Sequence, residues 1–230
     1  MSFMRLPGLG GWSEDPLWSY VYPWLVDHEP VGPLAWRLGT GSDLSLLHDA
    51  AAELGTLPAG ARVLDVPTGS GVALRGVRPG QGLDVVVADI SATMLRRATA
   101  TARRLGVADQ VTPAVTDVAS MPFADGSFDL VVSFTGLHCF PDPRRAIQEM
   151  VRVLAPGGVI TGSSIFTDTG RRYELLRRSG TRAGILGPMC TSTEARTWLL
   201  EAGCDVVELT LHGALGYFRA TRQPGREATA

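Results

Sequence analysis

The 230-residue chain has no lysine and no asparagine, so all 21 basic residues are arginines. Both missing residues use codons beginning AA, which points to a GC-rich genome and makes the arginines a matter of composition more than a set of phosphate ligands. Without lysine the G-x-x-x-x-G-K-[ST] phosphate loop is excluded. The three cysteines, Cys139, Cys190 and Cys204, are widely spaced and lie outside any CxxC pattern. Neither a disulfide framework nor a metal site is expected. Charged residues make up 19% of the chain and the net charge is −2, so there is no general attraction to nucleic acid or to an anionic membrane. No apolar run approaches membrane-spanning length, and Met1 to Gly11 carry glycine and proline in place of an apolar signal core. The expectation is a cytoplasmic protein with a small-molecule partner.

Apolar residues reach 45%, enough at this length for one sizeable α/β domain. Residues 1–60 stand apart through their aromatics and prolines, among them Trp18, Tyr20, Tyr22, Trp24 and Trp36. Trp18, Tyr22 and Leu25 recur at helical spacing, which fits a helix packed on the domain. A lid is the other reading, with Tyr20, Tyr22, Trp24 and Trp36 as a wall against a flat or apolar ligand. A helix is expected over Asp43–Leu57, with Leu44, Leu47, His48 and Ala51 on one face.

From residue 61 short β-type runs alternate with helical segments, the pattern of a doubly wound sheet. The strands are expected at 62–66, 83–89, 110–115, 128–134, 157–165, 204–211 and 214–221. The clearest helices are Ser91–Leu105, Pro143–Leu154 and Thr191–Ala202, opened by capping residues or stopped by glycine. Only His212-Gly213 joins the last two strands, which predicts an antiparallel hairpin. The basic stretch Arg171–Arg178 reads either as a solvated helix face or as a second wall of a pocket after a strand's carboxyl end. Residues 61–222 are taken as one domain and 223–230 as a disordered tail.

The densest signal is Arg62-Val63-Leu64-Asp65-Val66-Pro67-Thr68-Gly69-Ser70-Gly71: an apolar strand, an acid and a glycine-rich turn. The dinucleotide pattern G-x-G-x-x-G fails, because Leu74 stands at the third glycine position. Asp65 would repel a pyrophosphate and suits a cationic amine instead. Asp89 ends the next apolar strand, where its two oxygens can accept both hydroxyls of a ribose. Asp117 follows the third strand beside Val118, placed for an exocyclic amine and the face of a base. One such acid is an ordinary turn residue; three at successive strand ends describe a nucleoside site.

Taken in order, Val63–Gly71, Ala88-Asp89-Ile90-Ser91 with Met94-Leu95, Asp117-Val118, Ala124–Ser133 and Arg152–Gly158 resemble the class I S-adenosylmethionine-dependent methyltransferases over about residues 61–165. The resemblance implies a Rossmann-like seven-stranded sheet of order 3-2-1-4-5-7-6 with strand 7 antiparallel, preceded by an N-terminal helical, aromatic-rich extension. It implies S-adenosyl-L-methionine as cofactor and S-adenosyl-L-homocysteine as product. Asp65, Gly69 and Gly71 would line the methionine end, with Pro67 and Thr68 in the same loop. Asp89 would hold the ribose, Ile90 and Met94 the adenine, Asp117 and Val118 its edge, and Ser133 and Phe134 would close the site. The chain departs from the family's D-x-G-x-G-x-G loop at its first glycine, which is Pro67. Proline is tolerated only where neither an N–H nor positive φ is needed.

Methyl transfer from a sulfonium is an in-line displacement that asks mainly for positioning and desolvation. His138, just beyond the fourth strand, is the candidate general base and acceptor contact, set against a structural role; His28 is a second choice. The expected reaction is methylation of an oxygen, nitrogen or carbon on a small apolar or secondary-metabolite acceptor. A cyclase or a non-catalytic binding module on the same fold is the alternative. Nucleic acid is disfavoured as acceptor, since Ser133-Phe134-Thr135-Gly136 stands where an aromatic-flanked [NDS]-P-P-[FWY] tetrapeptide would be.

Overall fold

The structure is a computed structural model in which residues 31–224 are described. Tyr20, Tyr22, Trp24, His28 and residues 225–230 lie outside the described residues, as does most of the predicted aromatic segment.

The strands whose apolar runs are nearly unbroken occupy the middle of the sheet. β1 (Arg62–Asp65), β2 (Asp84–Asp89) and β4 (Phe128–Phe134) are each buried over almost their whole length, as parallel strands covered on both faces must be. β3 (Val111–Val115) is an edge strand, half exposed and carrying Pro113, where a missing N–H costs no ladder bond. β5 (Leu154–Ile165), β6 (Cys204–His212) and β7 (Leu215–Arg222) complete seven strands in the order β3-β2-β1-β4-β5-β7-β6. β7 runs antiparallel to both neighbours. The order and the antiparallel strand are those expected from the sequence.

Successive residues of the central strands face opposite sides. Val63, Val85, Leu130 and Val132 join one apolar cluster, while Leu64, Val86, Val131 and Ile160 join the other. Three helices cover the first face: α1 (Val31–Thr40), α2 (Ser45–Ala52) and α3 (Ala92–Leu105). Trp36, Leu47, Leu95 and Ala98 bring their side chains into that cluster. α4 (Pro143–Val153) and α6 (Ser192–Glu201) cover the second through Ile147, Met150, Ala195 and Leu199. α5 (Glu174–Arg182) follows β5. Residues 31–60 therefore share the core of the sheet domain. Trp36 is 8% exposed within it and does not form the expected substrate wall, because its ring is the face by which α1 is anchored.

Several boundaries differ from expectation by a residue or more, three of them instructively. The helix over 43–57 is α only to Ala52 and tightens into a 3-10 turn at Glu53–Thr56. β5 begins at Leu154, not 157, since Leu154 already pairs with Phe128 and a register shift absorbs the Pro-Gly-Gly stretch. The hairpin turn is Gly213-Ala214, with His212 opposite Leu215. Arg177, inside the basic stretch, is buried: it pairs with Glu174 and donates to the carbonyls of Phe166 and Gly170. Arg171 and Arg172, in the 3-10 turn before α5, and Arg178 within it are exposed.

Candidate functional site

The carboxyl ends of β1, β2 and β4 open onto a cavity of about 310 Å³, at the low end of the range for small-molecule sites. This is the sheet's topological switch point, where β1 has β2 on one side and β4 on the other.

The loop after β1 supplies Asp65, Pro67, Thr68 and Gly69 to the wall. Its backbone is held by Val66 N–H to the Val132 carbonyl at 2.9 Å, Thr68 N–H to the Ala88 carbonyl at 2.9 Å and Gly71 N–H to the Thr68 carbonyl at 2.9 Å. Gly69 donates to Asp89 Oδ2 at 3.0 Å. None of these bonds falls on residue 67, and Pro67 is not among the residues with positive φ. Both conditions for a proline in this loop are met. Gly71, expected in the site, does not line the cavity. It has φ +85°, and a Cβ there would stand 2.9 Å from Leu74 Cδ1 and 3.2 Å from Ala98 Cα, so its task is the close approach of loop and α3.

Asp65 is 2% exposed and Asp89 5%. Thr68 Oγ1 donates to Asp65 Oδ2 at 2.6 Å, and the Ser91 amide donates to Asp89 Oδ1 at 2.8 Å. Burial pushes the Asp65 carboxyl up to about 7, opposed by the Thr68 hydrogen bond and reinforced by the nearby Asp89 charge. Burial raises Asp89 as well, against the amides of Ser91, Gly69 and Ile90. No cation of the described residues pairs with either acid. Two buried carboxylates side by side without a counter-charge are costly, and a cationic ligand would relieve that cost.

Ile90 and Met94 form the next part of the wall. Ile90 is 57% exposed, a large apolar side chain left open over the cavity. Asp117 and Val118 line the far end; Asp117 Oδ1 accepts from the Ala119 amide at 2.9 Å, and its second oxygen has no bond of its own among the described residues. Phe134 closes the side beneath β4. Ser133 does not reach the cavity: it is fully buried, and among the described residues its hydroxyl has no hydrogen-bond partner.

The segment after β4 contributes Thr135, Cys139, Phe140 and Pro141, and Gly184 reaches the wall from beyond α5. None of these five is an expected site residue, although their position after a parallel strand's carboxyl end marks them. Gly184 follows the basic stretch that reads as a second wall. His138 lies in the same segment as Thr135 and Cys139 but is not on the wall. It is 6% exposed, its Nδ1 accepts from the Ile165 amide at 3.0 Å, and Ser164 Oγ is 3.3 Å away. Burial pushes the imidazole down to about 4. With Nδ1 accepting a backbone amide, the neutral ring carries its proton on Nε2, and the geometry places His138 as a core contact between this segment and β5.

Residues 64–161 match the family model described as a methyltransferase domain, and they include the end of β1, the glycine loop and the strand-end acids. Over that stretch the chain is similar to a methyltransferase domain. Similar curated proteins include a demethylmenaquinone methyltransferase of Thermus thermophilus, 38% identical over 122 residues that are 53% of this chain and 54% of that protein. Another, from Clavibacter sepedonicus, is 39% identical over 102 residues, 44% of this chain and 40% of that protein. The chain thus spans about half or less of the length of these relatives. Among solved structures, the [4+2]-cyclase SpnF superposes with a TM-score of 0.67 at 21% identity, covering 91% of this chain and 94% of that one; the likeness is one of fold. No helix among the described residues is long and apolar enough to cross a membrane.

Proposed function

We propose that this chain is an S-adenosyl-L-methionine-dependent methyltransferase that binds its cofactor in the cavity between β1, β2 and β4 and methylates a small, apolar acceptor. The observation that carries the reading is the pair Asp65 and Asp89: two buried acids without a cation among the described residues, at the ends of adjacent strands beside a glycine turn. A ligand with an amine, a sulfonium and a ribose diol fits them in charge and in hydrogen bonding. When bound, that cofactor supplies an activated methyl group.

Asp65 would hold the cationic methionine end and Asp89 the ribose hydroxyls. Ile90 and Met94 would sandwich the base, with the second oxygen of Asp117 on its amine. Phe134, Phe140 and Pro141 would exclude water and orient an apolar acceptor, and positioning then contributes much of the acceleration. On this reading no proton passes through His138. The curated relatives named demethylmenaquinone methyltransferases make naphthoquinols the first acceptors to try. A cyclase or binding module would show the same cofactor affinity and no methylated product.

Calorimetry with S-adenosylmethionine and S-adenosylhomocysteine tests the reading. Both are expected to bind, and Asp89→Ala is expected to weaken them at least tenfold, about the loss of one charge-assisted hydrogen bond. Absence of heat and of any thermal shift with either ligand would overturn it.

A further inference from the structure

The residue that departs from the resembled family's glycine loop has a partner in the segment after β4. Gly136 has φ −95° and ψ −49°, a right-handed conformation open to any residue. Its lack of a side chain therefore has no backbone cause. The cause is space: a Cβ there would collide with Pro67 Cδ and would lie 2.9 Å from Pro67 Cγ and 2.8 Å from Ser133 Oγ. The Pro67 ring occupies the volume that a methyl group at 136 would need.

What Gly136 carries makes the contact consequential. It lies between Thr135, held at φ +52°, and the 3-10 turn Leu137–Cys139, which closes with the Cys139 amide on the Gly136 carbonyl at 2.8 Å. That segment presents Phe134, Thr135, Cys139, Phe140 and Pro141 to the cavity, while Pro67 belongs to the neighbouring part of the wall, the loop after the adjacent strand β1. A rigid ring seated on a bare backbone sets the separation of the two segments.

We infer that Pro67 is a positioning residue which, by packing on Gly136, fixes the loop on the cofactor side at a set distance from the segment on the acceptor side. Proline suits the task because its ring has fixed φ and no rotamer freedom, and the loop asks for no amide at 67. Pro67 and Gly136 are a matched pair: a smaller residue at 67 releases the segment after β4, and a larger one at 136 drives the two segments apart. The inference rests on the proposed cofactor site, in-line transfer being sensitive to misplacement on the ångström scale.

The test is a double-mutant cycle of Pro67→Gly, Gly136→Ala and both together, read by cofactor calorimetry, thermal unfolding and, with any acceptor found active, the split between kcat and KM. Gly136→Ala is expected to weaken S-adenosylmethionine roughly tenfold or more, and adding Pro67→Gly to recover most of that loss, as residues in contact couple by about that factor. Pro67→Gly alone is expected to keep cofactor affinity within about threefold while lowering kcat with little change in the KM for cofactor. If Gly136→Ala fails to fold, refolding of the double variant is the same rescue read by unfolding. Additive losses in affinity or stability would overturn the pairing even where the wild type binds cofactor; a wild type that binds no cofactor would instead overturn the proposed function, while the unfolding cycle still reports on the pair.

Discussion

Asp65 ends a four-residue strand with its carboxyl accepting from Thr68, and burial lifts its titration to about neutral pH. Below about pH 4 the carboxyl is protonated in folded and unfolded chain alike. Between there and about 7 the folded chain keeps a proton that the unfolded chain has released, so this group's contribution to stability falls as pH rises through that window. Asp65→Asn is therefore expected to raise the melting temperature of the ligand-free protein at about pH 8 and to change it little at about pH 4. Cofactor affinity should move oppositely: a cation needs the ionised form, so wild-type affinity rises by up to about tenfold per pH unit below about 7 and then levels. In the variant it should be weak and flat; a variant retaining the wild-type slope would refute the role. His138 titrates with the other sign. Its folded value of about 4 lies below the ordinary 6.5 or so, so stability is lost as pH falls from about 6.5 toward 4, by up to about 1.4 kcal/mol per pH unit. His138→Asn keeps an acceptor for the Ile165 amide and should remove that acid slope in denaturant titrations while leaving any pH–rate profile near neutrality unchanged. The acids are legible in the sequence because each ends an apolar run. The burial of His138 is not, since nothing local distinguishes a histidine facing a cavity from one turned under the sheet.

Among the elements, three helices, α3, α4 and α6, begin where capping chemistry places them. Ser91 accepts from the Met94 amide, Asp142 from the Arg145 amide, and Thr191 and Glu194 form a reciprocal capping box at the start of α6. Only Ala195 and Leu199 of α6 are buried, so its cap contributes a large share of its local stability. Thr191→Ala is expected to cost about 1 kcal/mol and to lower the melting temperature by roughly 2–4 °C for a chain of this size, without affecting cofactor affinity. Equilibrium denaturation with calorimetry on the same sample checks both. Element ends are less legible than starts. Pro156-Gly157-Gly158 reads as a break, yet β5 runs through it because its pairing with β4 shifts register between Phe128 and Leu130; the continuity of the strand is decided by its neighbour.

At the scale of the whole molecule, the local sequence carries the strand order only through its pattern of connections. Alternating strands and helices call for a parallel sheet with right-handed crossovers, and the short Gly213-Ala214 turn forces β7 to run back against β6. Pattern alone is insufficient for residues 31–60, whose aromatics and prolines suggest a separate cap. The structure places Trp36, Leu44, Leu47 and Leu54 in one cluster with Val63 and Val85, making this stretch part of the domain's own core. By itself the sequence determined what depends on near neighbours: apolar runs for strands, caps for helices, the glycine turn and the acids at strand ends, with ten of the expected site residues meeting at one cavity. Only the tertiary structure decided what depends on distance across the fold. It turned Gly71, Ser133, Trp36 and His138 away from the cavity, brought Thr135, Phe140 and Gly184 to it, and set the Pro67 ring on Gly136, 69 residues along the chain. The physical reason is that a residue's type and spacing specify which local structure it can adopt, while its role in a site depends on which side chain or backbone occupies the space beside it.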